Sequence, residues 1–86
     1  MIEITLNKKD VDILKRYKIK NIDCFKYDGD LFNAEFMTLE DFHVFSDDLS
    51  DATLYYGVDN YETVNPLGIE MYRIYDDIIY QKNQQV

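Results

Sequence analysis

Apolar residues follow two periods along this chain, and the places where the period changes divide it into elements. Ile2, Ile4 and Leu6 alternate with Glu3 and Thr5, the two-residue period of a short half-buried strand. After Asn7 the period lengthens: Val11, Leu14 and Tyr17 fall on one narrow stripe of a helix of about three turns. Asn7 supplies its cap, and Asp10 places a carboxylate near the positive end of the helix dipole. Lys15, Arg16, Lys18 and Lys20 gather at the other end, where cations are favoured, and read first as a solvated helix terminus.

The stretch NIDCFKYDGDLFNAEFM returns to strand composition, and its Asp28-Gly29 dipeptide predicts a two-residue type I′ hairpin turn. In that register Tyr27 faces Asp30, Phe25 faces Phe32 and Asp23 faces Ala34. Phe25, Tyr27, Phe32, Ala34 and Phe36 then share the core face, and Cys24, Lys26, Leu31 and Asn33 the other. Asp28, Gly29 and Glu35 match three positions of a calcium-binding EF-hand loop. Cys24 and Lys26 stand where its first and third ligands belong, so the match fails.

Thr38 opens a second helix, with Asp41 at the third position of a loose capping box. Leu39, Phe42, Phe45, Leu49, Ala52 and Tyr56 collect on its inner side. Glu40, Asp47 and Asp51 lie within about 40° of one another on the opposite side, with Asp41 and Asp48 in a row beside them. Val44 and Tyr55 point into that acidic arc, and Gly57 reads as the C′ stop. VDNYETVNP follows as a linker or a single helical turn, with Asp59 as its cap. Pro66 suits the first turn of a last helix running to about Gln81. Leu67, Met71, Ile74, Tyr75 and Ile78 form its buried stripe, whereas Ile69, Tyr72 and Tyr80 fall outside it. Residues 82–86 read as a frayed tail. The expected fold is a single α+β domain over residues 1–86. A β-hairpin, extended by Ile2–Leu6 to a three-stranded antiparallel sheet, packs against two to three helices.

Charge changes the picture more than composition does. The net charge is −8, but residues 1–26 carry seven Lys or Arg against four acids, whereas residues 27–81 carry thirteen acids and Arg73 alone. From Tyr27 to Tyr72 there are eleven acids and no cation at all. Such a segment is disfavoured as a nucleic-acid binder, because that affinity comes chiefly from neutralising phosphates. Its natural complement is a cationic protein surface. The pattern also forgoes the i,i+4 ion pairs that stabilise exposed helices, by tenths of a kcal/mol each.

The residue inventory argues against catalysis. His43 is the only histidine and is expected at the edge of an apolar stripe in a structural role. Cys24 is the only cysteine, so neither a disulfide framework nor a cysteine-based zinc site can form. Asp47-Asp48 and Asp76-Asp77 are adjacent pairs, which diverge by about 100° on a helix. Three glycines offer no phosphate-binding loop. No cofactor is expected. The start MIEITLNKK lacks the apolar core of a signal peptide, so the expected location is the cytoplasm, of a host cell if the protein is phage-encoded.

Lys, Asn, Ile, Asp and Tyr are abundant, as in AT-rich genomes of Gram-positive bacteria and their phages. The stretch LYYGVDNYETVNPLGIEMYRIYDDI, residues 54–78, resembles a C-terminal pattern of small phage proteins from such hosts, in which a YYG-DN turn leads into a helix bearing tyrosines and an acidic pair. In size, acidity and tyrosine content the chain is similar to phage-encoded anti-defence inhibitors, including anti-CRISPR proteins that occupy nucleic-acid sites of effector nucleases. That likeness implies a non-enzymatic inhibitor that binds a nucleic-acid-handling enzyme of the host. The cation-free segment, and not the likeness, names the contacts: Glu40, Asp41, Asp47, Asp48, Asp51 and Asp59, with Tyr55 and Tyr56 as anchors. The alternative is a small phage or mobile-element protein that forms a homo-oligomer through Ile69, Tyr72 and Tyr80, its acidic face serving only solubility. Direct nucleic-acid binding through the basic run from Lys15 to Lys20 is the least favoured class.

Overall fold

In the computed structural model, which describes residues 1–59 and 63–85, the alternating first segment is strand β1 (Ile2–Asn7). Asn7 then caps helix α1 (Lys8–Arg16), its Oδ1 accepting the Asp10 backbone N–H at 2.8 Å. A 3-10 turn (Ile22–Cys24) leads into the hairpin β2 (Lys26–Asp28) and β3 (Leu31–Phe36). Helix α2 (Leu39–Gly57) starts at Thr38, whose hydroxyl accepts the Asp41 N–H at 3.0 Å. A pair of two-residue strands, β4 (Val58–Asp59) and β5 (Thr63–Val64), joins it to helix α3 (Pro66–Asn83).

The sheet is antiparallel in the order β1-β3-β2, so β3 is the central strand. Its two faces differ in kind. Ile2, Ile4, Leu6, Ala34 and Phe36 are buried, while Glu3 and Glu35 on the opposite face are exposed. This alternation is that of a sheet covered on one side only. The cover is helical: Val11 and Leu14 of α1, Phe42, Phe45 and Leu49 of α2, and Met71, Ile74 and Ile78 of α3 complete one core. Phe36 sits at its centre, stacked on Phe45 at 5.3 Å and edge-on to Phe42 at 5.7 Å. Burying such a ring stabilises the fold by roughly 1.5–3 kcal/mol. The expected α+β architecture, three-stranded sheet and three helices, is the one observed.

Several local expectations change. The hairpin pairs Asp28 with Leu31 and Tyr27 with Phe32, so the central turn residues are Gly29 and Asp30 in place of Asp28 and Gly29. Gly29 has φ +69°, which suits the first position of a II′ turn. Because the slip is even, the side chains of β2 and β3 keep their predicted faces, whereas Asp23, Cys24 and Phe25 precede β2 and do not pair with β3. Tyr27 is nonetheless exposed, packed on the Phe32 ring at 5.4 Å, with the Lys15 ammonium 5.8 Å from that same ring. On α2 the buried stripe runs through Phe42, Phe45, Ser46, Leu49, Thr53 and Gly57, leaving Leu39 and Tyr56 largely outside it. Thr53 is buried at no polar cost, because its hydroxyl donates to the Leu49 carbonyl at 2.8 Å.

Gly57 does not end α2 by turning left-handed. It is the last helical residue, and its role is proximity: a Cβ placed there would lie 2.5 Å from the Gly68 Cα of α3. The two glycines let the helices touch backbone to backbone. Asn65, not Asp59, organises this junction. Its Oδ1 accepts the Gly68 N–H at 2.8 Å and so caps α3, while its Nδ2 donates to the Tyr56 carbonyl at 2.9 Å and to Asp59 Oδ1 at 3.1 Å. The Asn65 backbone N–H also donates to the Gly57 carbonyl at 2.9 Å. One asparagine thus satisfies orphan groups of two helix ends. Of the expected linker, residues 60–62 lie outside the described residues, and its flanks are extended, not helical.

The tail is not frayed from residue 82. Gln81 Nε2 donates to the Thr5 carbonyl and its Oε1 accepts the Thr5 N–H, each at 2.8 Å. One turn on, Gln85 makes the same pair with Glu3, at 2.8 Å for the accepted N–H and 2.6 Å for the donated bond. Two side-chain amides thereby close the outer edge of β1, which β3 leaves unpaired.

Candidate functional site

Arg73 is the only cation between residues 27 and 81, and the fold consumes it. Its Nη2 lies 2.7 Å from Asp10 Oδ1 and 2.9 Å from Glu70 Oε2. Asp10 is buried at the foot of α1, so this fork pins α1 to α3. The Arg73 bond, with a smaller pull from Lys9, holds the Glu70 carboxyl below its ordinary range, and both acids raise the guanidinium further above its own. Among the described residues the one other ion pair is Lys8 with Asp12, within α1. Among the described residues no Lys or Arg lies within ion-pair distance of any carboxylate on α2.

The five acids of α2 are not equivalent. Asp48 is half-buried, and its Oδ2 accepts the Lys20 backbone N–H at 2.8 Å, tying the loop after α1 to the middle of α2. Asp48 is thus an internal ligand of the fold. Glu40, Asp41, Asp47 and Asp51 are exposed. By helical geometry Glu40, Asp47 and Asp51 share the solvent side, and Asp41 lies about 100° round from them. Glu40 and Asp41 also occupy the first turn, where the dipole favours them. Asp59 leaves the helix altogether and serves the Asn65 junction.

The two expected anchors divide in the same way. Tyr55 is 79% exposed. Tyr56 packs edge-on against it at 4.7 Å and lies tilted against Tyr17, the C-cap of α1, at 4.9 Å. Tyr56 is therefore the brace and Tyr55 the presented ring. Beside Tyr55 lies a shallow hollow framed by Asp51, Leu54, Tyr55 and Val58. Leu54, 60% exposed, is a member that the sequence reading passed over. The spacing 51, 54, 55, 58 was the available signal, since those positions surround one gap on a helix surface. Val44 adds a further exposed apolar side chain to the same face.

The remaining chemistry-bearing residues stand apart from α2's outer side or from each other. Cys24 is exposed near the open polar face of the sheet, bordered there by Asp23, Lys26, Asp28, Asn33 and Glu35. His43 is exposed on α2 rather than set in an apolar edge. Among the described residues no group of three or more His, Cys, Asp or Glu side chains converges as a metal site would require, and no helix is long and apolar enough to cross a membrane. Comparison with protein-family models, curated proteins and solved structures returns no match to this chain.

Proposed function

We propose that this protein acts in the cytoplasm as a non-enzymatic acidic inhibitor, presenting the outer side of α2 to a Lys/Arg-lined groove of a nucleic-acid-handling protein. The observation that supports it is the state of that helix: Glu40, Asp41, Asp47 and Asp51 are exposed, and among the described residues none of them is ion-paired to a cation of the chain. From Glu40 to Asp51 the helix rises about 17 Å. One strand of B-DNA sets a phosphate every 3.4 Å or so, roughly five over that length. Four carboxylates on a rigid rod are a comparable charge density. Steering is what charge alone provides, and the exposed Tyr55, Leu54 and Val44 add contact area beside it. The resemblance to anti-CRISPR proteins makes an effector nuclease the first partner to try.

The test is the double charge reversal Asp47→Lys with Asp51→Lys. Both side chains point to solvent, so the far-ultraviolet circular dichroism should be unchanged, while capture of the partner from host lysate should be lost. Unaltered capture would remove the reading. Wild-type capture should itself wash off at high salt.

A second reading, homo-oligomerisation, is favoured by Ile69 and Tyr80, which are 61% and 63% exposed on α3, with Tyr72 near them on the same helix. Sedimentation at two concentrations separates the readings: a monomer at the higher concentration argues against it.

A further inference from the structure

We infer that the hollow between Asp51, Leu54, Tyr55 and Val58 receives one arginine side chain of a protein partner. The inference rests on α2 being the contact face and adds the chemistry of the group it meets. Positions i, i+3, i+4 and i+7 of a helix frame the hole into which a facing chain inserts a single side chain. Here α2 ends at Gly57, so Val58 forms the fourth corner from the start of β4.

The lining decides what that side chain is. Leu54 and Val58 offer aliphatic walls, Tyr55 an aromatic face and Asp51 one carboxylate. A leucine would fill the walls but strip water from Asp51 and return nothing. A lysine would neutralise Asp51 as a point charge and leave the ring unstacked. Arginine meets each surface at once. Its stem lies on the aliphatic walls, its plane stacks on Tyr55, and its fork donates two N–H bonds to Asp51.

The site is also braced before anything binds. Tyr55 is held edge-on by Tyr56, and Tyr56 packs on Tyr17 at the C-cap of α1, so the ring is braced from outside its own element. Asp47, one turn earlier, adds a second charge of the same sign, and neither carboxylate has a cation of this chain as its partner.

The probe is a blocked peptide, Gly-Ser-Arg-Ser-Gly, titrated at low salt into the ¹⁵N-labelled protein beside its Lys and Leu counterparts. Saturable shifts should centre on the amides of Asp51, Leu54, Tyr55 and Val58, with the arginine peptide bound about three- to fivefold more tightly than the lysine one. Tyr55→Ala and Asp51→Asn should each abolish that preference, and Tyr55→Phe, which keeps the ring, should retain it. Equal response to lysine, a preference for leucine, or shifts as large at Glu40 and Asp41 would overturn the inference. Partner capture keeps the two ideas distinct. If reversal of Glu40 and Asp47 abolishes capture and Tyr55→Ala leaves it untouched, the acidic face stands and the arginine site falls. If the arginine preference holds while no capture depends on α2, the site stands and the inhibitor reading falls.

Discussion

Lys18 occupies a backbone position that glycine usually fills. Its φ is +55°, and the Ile19 N–H reaches back to the Leu14 carbonyl while the Lys18 N–H reaches Lys15, both at 3.1 Å. This is the Schellman closure of α1, with Ile19 buried beneath it. A side chain in the left-handed region costs ~1 kcal/mol, so Lys18→Gly should raise stability by that order, seen as a higher urea midpoint at unchanged slope. Asp10 and Arg73 carry the opposite risk. Arg73→Met would leave a buried carboxylate without its fork and should cost about 2 kcal/mol in the same measurement. At this scale, legibility follows sequence distance. The Asn7 and Thr38 caps bond three residues along and could be read directly, whereas Arg73 meets Asp10 across 63 positions, which no local pattern encodes.

Elements were legible where one face is buried and the other wet. β1, β3 and α2 satisfy that condition, and their boundaries follow the change of period. What a period cannot supply is how closely two elements approach. Gly57 and Gly68 each read as helix punctuation or as a weak helix former, yet together they are a contact between α2 and α3. Gly68→Ala should therefore destabilise by about 3 kcal/mol, because its Cβ meets the Gly57 backbone and neither helix can yield alone. Gly29→Ala is the control. Its added Cβ meets nothing within 4 Å, so only the left-handed φ is penalised, by ~1 kcal/mol, and chemical denaturation of the two variants separates contact from conformation. The same gap between face and neighbour explains the site. Glu40, Asp47 and Asp51 could be placed on the outer side of α2 from angles alone, but Asp48 belongs to that helix by sequence and to the Lys20 loop by structure.

Over the whole molecule the chain is bipolar in sequence, and folding ties the poles together at two points, Asp10 with Arg73 and the Lys20 backbone with Asp48. The basic residues of α1 pair locally or point outward, Arg73 is spent on Asp10 and Glu70, and the outer side of α2 is left as a negative surface. That surface is the part of the functional reading that a sequence could foreshadow. The hollow at Tyr55 was hidden because its brace comes from Tyr17, far away in sequence at the C-cap of α1. Strand β1 and the C-terminal end of α3 are likewise joined by side chains that composition does not distinguish. Glu3 and Thr5 have no strand on their outer side, so their amides should owe their hydrogen-exchange protection to Gln85 and Gln81. Gln81→Ala should speed exchange at Thr5 selectively and leave Ile4, which faces β3, nearly unchanged. The glutamines also set an order of events during synthesis. The outer edge of β1 stays open until residue 85 has cleared the ribosome, 82 positions after the strand residue it covers. Until then the nascent chain displays an adhesive strand border, and the window closes only once the residues just beyond α3 have been made.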